Sequence, residues 1–215
     1  MTPIVFDLDG TLIDSLPDIA AAANLTLADF DLPALPQTQI GSFVGLGEQV
    51  FVDKLIAATS LVVAERPRIM ATFLRHYQAS TGLTYLFPGV RDALDSLWNA
   101  GVPMGICTNK PTLPLDAVLK ALDLRRVFGA VIAGDTLPVR KPAPDPLALA
   151  FERLGGEGIY VGDSPVDAQT AQALGVPFAL FTMGIRQQPI SEIPHDAAFS
   201  DFADFPDIYR ELAGR

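Results

Sequence analysis

Short apolar runs alternate with helical patterns through the C-terminal two-thirds of the chain, and this alternation narrows the possible folds more than any other feature. The runs lie at residues 102–107, 130–133, 159–161 and 178–181. Between them, apolar residues recur at the spacing of helices that bury one face. Strands that are apolar throughout and alternate with one-sided helices are typical of parallel sheets covered on both faces. We therefore predict an α/β fold of three layers with a parallel sheet in the middle.

Residues 15–81 have a different character, being rich in Ala and Leu and lacking a convincing strand. Helical patterns lie at residues 19–30, 48–57 and 65–78. Because this segment separates the first predicted strand from the others, we predict a small all-helical cap at residues 15–81, inserted into a core of residues 1–14 and 82–215. Pro88-Gly89 would mark the return to the core. The alternative is that these helices pack on the sheet within one domain.

The charge balance excludes some classes of partner. The 215 residues include 15 Lys and Arg against 25 Asp and Glu, so the formal net charge is −10. Proteins that bind nucleic acids or anionic membrane surfaces carry basic patches, and we expect neither partner here. Cys107 is the single cysteine, which excludes an intrachain disulfide. Since no signal peptide or apolar segment of membrane-spanning length is visible, we expect a cytoplasmic protein.

Two acidic residues directly follow the first apolar run. Residues 4–12 read IVFDLDGTL, which places Asp7 and Asp9 at the end of a predicted buried strand. A carboxylate beside a core strand is unfavourable unless a cation or hydrogen-bond donors compensate it. Gly10 would let the backbone turn sharply beside these acids. The pair therefore predicts a functional site at this strand end.

Polar groups also follow three later strands of the predicted sheet. They are Thr108-Asn109-Lys110, Lys141 and the sequence GDSPVD at residues 162–167. Ligands of open parallel sheets bind beyond the carboxyl ends of the strands, so these groups and the two N-terminal acids should meet at one edge. Acids and lysines gathered in one place predict a site for a hard cation with an anion beside it.

The acids at this edge suit Mg²⁺, which prefers oxygen ligands in octahedral geometry. We predict that the carboxylates of Asp7 and Asp163 hold the ion and that the backbone carbonyl of Asp9 is a third ligand. Asp167 follows Ser164 by three residues, a spacing that fits a capping box at the start of a helix. Asp167 could form that cap or support the metal site, and the two roles are compatible.

The same residues are suited to a phosphate monoester. Mg²⁺ and Lys141 would offset the repulsion between an attacking carboxylate and the phosphoryl oxygens. Asp7 would be the nucleophile and form an aspartyl-phosphate, while Asp9 would protonate the leaving group and later activate water. We expect the Thr108 hydroxyl and the backbone N–H groups around Leu8 and Asn109 to donate hydrogen bonds to the phosphoryl group. The alternatives are that Lys141 is a solvated loop lysine and that Thr108 merely satisfies a strand end.

Taken in order, these motifs resemble those of the haloacid dehalogenase superfamily of aspartate-nucleophile phosphotransferases. The first motif is DLDGTL at residues 7–12, and Thr108, Lys141 and residues 162–167 match the later ones. The resemblance covers nearly the whole chain. It implies a Rossmann-like core, a helical cap that closes over the site, and Mg²⁺-dependent hydrolysis of a small phosphate ester.

Two further sequences look like those of the phosphoglycolate phosphatase group within this superfamily, namely DSLPD at residues 14–18 and VGLG at residues 44–47. The resemblance implies that Gly45 and Gly47 lie in a substrate-facing loop of the cap and that the partner is a small phosphorylated metabolite. Members of the group often carry a basic residue shortly before the second sequence, whereas Gly and Ser occupy positions 41–42 here. The residues that could replace it are Lys54, Arg66, Arg75 and Arg186.

Two other functions stay open at this point. A sugar phosphomutase would pass the phosphoryl group to a second hydroxyl, and a catalytically idle binding module could share the fold. A mutase cap must exclude water and hold a second phosphate, yet residues 15–81 show no clear basic cluster. An idle module has no chemical need for both Asp7 and Asp9. We therefore expect a phosphohydrolase, as a monomer or homodimer.

Overall fold

Six parallel strands form the central sheet of the computed structural model, which describes residues 1–214. The strands of the described residues are β1 (Ile4–Phe6), β2 (Ile13–Asp14), β3 (Tyr85–Leu86), β4 (Met104–Cys107), β5 (Ala130–Ile132), β6 (Ile159–Gly162), β7 (Phe178–Phe181) and β8 (Ala197–Phe199). The sheet has the order β5-β4-β1-β6-β7-β8, which confirms the predicted α/β fold. The sequence patterns missed β2 and β3, which have only two residues each, and β8, whose sequence AAF contains two Ala residues that do not favour strands.

Helices lie on both faces of this sheet and in the segment between β2 and β3. Those of the described residues are α1 (Leu16–Ala28), α2 (Gln37–Gly41), α3 (Glu48–Ala57), α4 (Arg66–Ala79), α5 (Val90–Asn99), α6 (Thr112–Ala121), α7 (Asp145–Leu154), α8 (Pro165–Leu174) and α9 (Phe205–Ala213). The short helix α2 was not predicted. None of the helices in the described residues is long and apolar enough to span a membrane.

The position of β1 explains why its carboxyl end is the centre of the site. Ile4 and Phe6 pack into an apolar cluster with residues of α5, α6 and α9, while Val5 packs into another with residues of α7 and α8. The alternating side chains of β1 thus reach both covered faces of the sheet. β1 pairs with β4 on one side and β6 on the other. The residues that follow these three strands therefore meet at one edge.

Helices α1 to α4 pack around a separate apolar core. Phe51 and Phe73 lie within it and stack with their ring centroids 4.7 Å apart. The chain enters and leaves this helical segment through the antiparallel pair β2 and β3. Beside that pair, Asp18 accepts hydrogen bonds from the backbone N–H groups of Leu83 and Thr84, at 3.0 and 2.7 Å. We retain residues 15–81 as the proposed cap, because four helices with their own core form a natural unit.

Candidate active site

Asp7 lies at the carboxyl end of β1, and a tight turn follows it. The Asp7 backbone N–H donates to the carbonyl of Val161 in β6 at 2.8 Å, which fixes the strand end. The turn passes through Gly10, whose φ of +90° lies in a region that glycine adopts easily. A Cβ atom at Gly10 would lie 2.5 Å from Oδ2 of Asp163. The absence of a side chain at this position therefore lets the turn approach the second acid.

Lys141 is buried beside Asp7, with only 4% of its surface exposed. Its Nζ lies 2.8 Å from Oδ1 of Asp7, 2.7 Å from Oδ1 of Asp167 and 2.8 Å from the hydroxyl oxygen of Tyr160. Burial by itself lowers the pKa of Lys141, but the two carboxylates outweigh burial and hold the pKa above its ordinary value. Lys141 is therefore a permanent cation next to Asp7. The structure does not place it as a solvated loop lysine.

Asp163 and Asp167 follow β6 and have different environments. Asp163 accepts hydrogen bonds from the Thr11 hydroxyl at 2.9 Å and the Ile185 backbone N–H at 2.7 Å, one on each carboxylate oxygen. Asp167 forms the capping box of α8 with Ser164, and the oxygen not used there accepts from Lys141. Asp163 lines the cleft above the strand ends. Asp167 does not line the cleft, and its Oδ1 pairs with Lys141, so it acts behind the site.

When its three carboxyl groups are all ionised, the acid cluster holds more negative charge than its lysine balances. Burial raises the pKa of Asp7 to about 7, against the opposing attraction of Lys141. Burial also raises the pKa of Asp163 well above its ordinary range, and the charges of Asp167 and Asp7 add to this shift. One oxygen from each of the three carboxylates lies within 4.8 Å of the others. A divalent cation bound to oxygen atoms would balance this charge, so the donor set fits Mg²⁺.

Asp9 lies apart from this cluster and contacts a second lysine. Its Oδ1 accepts a hydrogen bond from the Ser15 hydroxyl at 2.6 Å and from Nζ of Lys110 at 2.9 Å. The same Nζ lies 2.5 Å from the hydroxyl oxygen of Tyr77, a residue of α4. The sequence interpretation assigned no role to Lys110 or Tyr77. The sequence feature that could have indicated Lys110 is its position two residues after the predicted phosphate-binding threonine. Nothing in the sequence indicated Tyr77.

Thr108 and Asn109 follow β4 and line the same cleft. The Thr108 backbone N–H donates to the carbonyl of Ile132 in β5 at 3.0 Å, which holds the loop against the sheet. The side-chain amide of Asn109 donates to the carbonyl oxygens of Lys141 and Gly45, both at 3.0 Å. Asn109 thus joins the loop that carries Lys141 to the helical segment. Its predicted backbone contact with phosphate remains a prediction.

Gly45 and Gly47 also line the cleft and have positive φ angles of +115° and +85°. Both conformations favour glycine. The cleft lies between the strand ends and the helical segment. Its lining includes Asp7, Asp9, Thr108, Lys110, Lys141 and Asp163 from one side, and Ile19, Val44, Phe51, Phe73 and Tyr77 from the other.

The four basic residues considered as replacements near the VGLG sequence do not line this cleft. Lys54 donates to the Ser42 carbonyl at 2.9 Å, whereas Arg66 and Arg75 form ion pairs with acids of the same helical segment. Arg186 lines a neighbouring cavity together with Gly184 and Ile185. Among the described residues, the cations that line the cleft are Lys110 and Lys141.

The chain is similar to known proteins along nearly its whole length. The family model described as haloacid dehalogenase-like hydrolase matches residues 4–181. The chain is 41% identical to the phosphoglycolate phosphatase of Cereibacter sphaeroides (strain ATCC 17029 / ATH 2.4.9), with 99% of each chain covered. It is 39% identical to that of Rhodospirillum rubrum, with 95% of this chain and 89% of the relative covered. A crystal structure of a predicted phosphoglycolate phosphatase from Haemophilus somnus 129PT has a TM-score of 0.92 and 30% identity, with 97% of each chain covered.

Proposed function

The chain belongs to the haloacid dehalogenase-like hydrolase family, and from this membership we propose that it hydrolyses a small phosphate monoester of the phosphoglycolate type, with Mg²⁺ bound. The observation that carries the proposal is the position of Asp7. Its carboxylate lines the cleft, 2.8 Å from Nζ of Lys141 and beside Asp163. A nucleophile, a fixed cation and an acidic metal site thus share one surface.

In the first half of the reaction, an oxygen of the ionised Asp7 attacks phosphorus, and the bond between phosphorus and the ester oxygen breaks. Asp9, in its acid form, gives its proton to the departing alkoxide, so the products of this step are an alcohol and the aspartyl-phosphate. The Thr108 hydroxyl is positioned to donate a hydrogen bond to a phosphoryl oxygen, and the positive charge of Lys141 beside Asp7 offsets the negative charge that develops there.

In the second half, water attacks phosphorus of the aspartyl-phosphate. Asp9, now ionised, takes a proton from that water, and the bond between phosphorus and the Asp7 oxygen breaks. Inorganic phosphate leaves and the free carboxylate of Asp7 returns. The Ser15 hydroxyl and Nζ of Lys110 both donate to Oδ1 of Asp9. These two contacts keep the Asp9 carboxylate in the same position during both steps.

The proposed Mg²⁺ site consists of the Asp7 and Asp163 carboxylates, with the backbone carbonyl of Asp9 as a third ligand. When bound, the ion would withdraw charge from the phosphoryl oxygens and lower the barrier to attack by an anion. Asp167 contributes by pairing with Lys141, since it lies outside the cleft lining and its Oδ1 accepts from Lys141 and Tyr160. Asp167 therefore keeps the lysine in place without contacting the ion.

A phosphomutase is not the function that the cleft favours. A sugar bisphosphate carries a second phosphate, which needs its own cations. The side chains that the helical segment contributes to the cleft are mostly apolar, among them Ile19, Phe51 and Phe73, and its one charged residue there is the acid Glu48.

The test is phosphate release from a panel of esters with and without Mg²⁺, including phosphoglycolate, sugar phosphates, nucleotides and pyrophosphate. We expect Mg²⁺-dependent turnover with phosphoglycolate preferred, and its loss in Asp7→Asn, which keeps the size of the side chain but removes the nucleophile. The control is Asp116→Asn, because Asp116 pairs with Arg125 outside the cleft. Full activity in Asp7→Asn would disprove the nucleophile assignment. Wild-type protein that releases no phosphate from any ester would disprove the phosphatase function.

A further inference from the structure

Two lysine–tyrosine pairs lie near the strand ends. They differ in whether all of their hydrogen-bond donors have acceptors within the protein. Lys141 has three acceptors within 2.8 Å, namely Asp7, Asp167 and Tyr160, and an ammonium group has three N–H donors. The hydroxyl of Tyr160 lies 2.8 Å from Oδ1 of Asp167, to which it can donate. All donors of this first pair are therefore satisfied within the protein.

The second pair, Lys110 and Tyr77, is not satisfied in this way. Nζ of Lys110 has two acceptors, Oδ1 of Asp9 and the hydroxyl oxygen of Tyr77, so one N–H is left. The Tyr77 oxygen accepts from Lys110, and in residues 1–214 its own O–H has no acceptor. Burial, together with the charge of Asp9, raises the pKa of Tyr77 well above its ordinary value, so this O–H is a permanent donor.

The remaining N–H of Lys110 and the O–H of Tyr77 can reach an acceptor only within the cleft. Lys110 and Tyr77 are 6% and 7% exposed, and both line it. A buried donor without an acceptor is unfavourable, and groups of this kind are usually explained by a ligand or an ordered water. The neighbouring cap residues Phe51 and Phe73 are apolar and offer no acceptor. The missing partner must therefore enter the cleft and must bring oxygen acceptors.

We propose that Lys110 and Tyr77 form a subsite for a carboxylate of the substrate, at the end opposite the phosphoryl group. A carboxylate has two oxygens and one negative charge, which matches one cationic and one neutral donor. The subsite presupposes the phosphatase function proposed above and narrows its substrates to short phosphate esters that carry a carboxylate.

The subsite also makes recognition of the substrate carboxylate depend on the position of the helical segment. Lys110 follows β4 in the core, whereas Tyr77 belongs to α4. Both donors are brought together only when α4 lies over the strand ends. Lys110 would thereby supply the positive charge for the substrate carboxylate that a basic residue before the VGLG sequence would otherwise supply. It does so from the core side of the cleft, whereas the VGLG sequence lies in the helical segment.

The test measures binding, so that it does not depend on turnover. Phosphonoacetate and methylphosphonate both carry a phosphorus–carbon bond that this reaction does not break, and they differ by one carboxylate. Titration calorimetry with Mg²⁺ gives the affinity ratio of the two compounds for wild type, Tyr77→Phe and Lys110→Met. We expect wild type to prefer phosphonoacetate, and the ratio to fall roughly tenfold in Tyr77→Phe, as for a lost hydrogen bond to a charged group. Lys110→Met should lower the ratio further.

The control is Tyr209→Phe, which removes a hydroxyl that donates to the Thr2 carbonyl far from the cleft and should keep the wild-type ratio. Tyr77→Phe keeps the ring that stacks on Phe73, and thermal unfolding verifies its fold. A wild-type protein without preference for phosphonoacetate, or an unchanged ratio in Tyr77→Phe, would overturn the subsite. Failure of wild type to release phosphate from any ester of the panel would instead overturn the proposed function, with the binding ratio still measurable.

Discussion

Arg140 and Glu48 form a bidentate ion pair between the core and the helical segment. Nη1 of Arg140 lies 2.7 Å from Oε2 of Glu48, and Nη2 lies 2.6 Å from Oε1. Arg140 directly precedes Lys141, and Glu48 begins α3 immediately after Gly47. The pair therefore joins the loop that carries the active-site lysine to the loop that lines the opposite side of the cleft.

We expect Arg140→Met to loosen the helical segment from the core. The Glu48 side chain is 7% exposed, and loss of its partner leaves a mostly buried charge that we expect to reduce the stability of the closed arrangement by about 1–3 kcal/mol. Hydrogen exchange should show faster exchange in α3 and α4, and KM should rise. The matched control is Arg66→Met, because Arg66 pairs with Asp53 at the surface, where solvent screens the ion pair. Equal exchange rates in both variants would contradict a joining role for Arg140.

Stabilisation by Mg²⁺ should depend on pH through Asp7. Its pKa rises from 3.8 to about 7 on folding, chiefly by burial, so the metal-free folded state holds a proton that the unfolded state releases. On account of this group, the free energy of unfolding without metal falls as pH rises from 3.8 to about 7. Mg²⁺ competes with that proton, so its effect on Tm should be larger at about pH 8 than at about pH 6. Thermal unfolding with Mg²⁺ or a chelator measures this, and Asp7→Asn should weaken the dependence. A Tm shift that is equal at the two pH values would argue against Asp7 as a ligand.

Substitution by Asn should weaken Mg²⁺ binding at Asp163 but lower kcat at Asp167. Asp163→Asn removes a charged ligand that lines the cleft, and we expect the Kd for Mg²⁺ to rise at least roughly tenfold. Asp167→Asn removes the charge that holds Lys141, so we expect kcat to fall while the Kd for Mg²⁺ changes little. Titration of Mg²⁺ and steady-state kinetics separate the two effects. If Asp167→Asn weakened Mg²⁺ binding as strongly as Asp163→Asn, Asp167 would have to be a ligand.

Gly184 should tolerate no side chain. A Cβ atom there would overlap the Gly10 carbonyl oxygen and the side chain of Asp163. We expect Gly184→Ala to move the Asp163 carboxylate, to weaken Mg²⁺ binding, and to reduce stability by about 1–3 kcal/mol. Gly156→Ala is the control, because a Cβ atom there meets nothing within 4 Å. Chemical unfolding and Mg²⁺ titration measure both effects. Wild-type Mg²⁺ affinity in Gly184→Ala would show that Asp163 is not held by this contact.

The strands and most helices could be predicted because their signals are local. Each apolar run of β4, β6 and β7 lies within a few residues of sequence, and the turn residues beside it mark its end. The order of the motifs along the chain then predicted which residues should gather at the strand ends. Elements without a local signal were missed, such as the five-residue helix α2 and the edge strand β8.

The contacts within the site could not be predicted in the same way. Thr11 and Asp163 meet although they are 152 positions apart, and Lys110 and Tyr77 meet across 33. Such pairs depend on the order of strands in the sheet and on the docking of α4. The sequence therefore placed Lys110 near the site but did not show that it contacts Asp9 and Tyr77 at once.

The sequence by itself determined the α/β class and the residue types at each strand end, because both depend on neighbours along the chain. Only the tertiary structure decided which carboxylate pairs with which lysine. Lys141 contacts Asp7 and Asp167, whereas Lys110 contacts Asp9. The physical reason is that charge pairing inside a protein is set by distances of a few ångströms, and those distances arise only when separate strands and helices pack together.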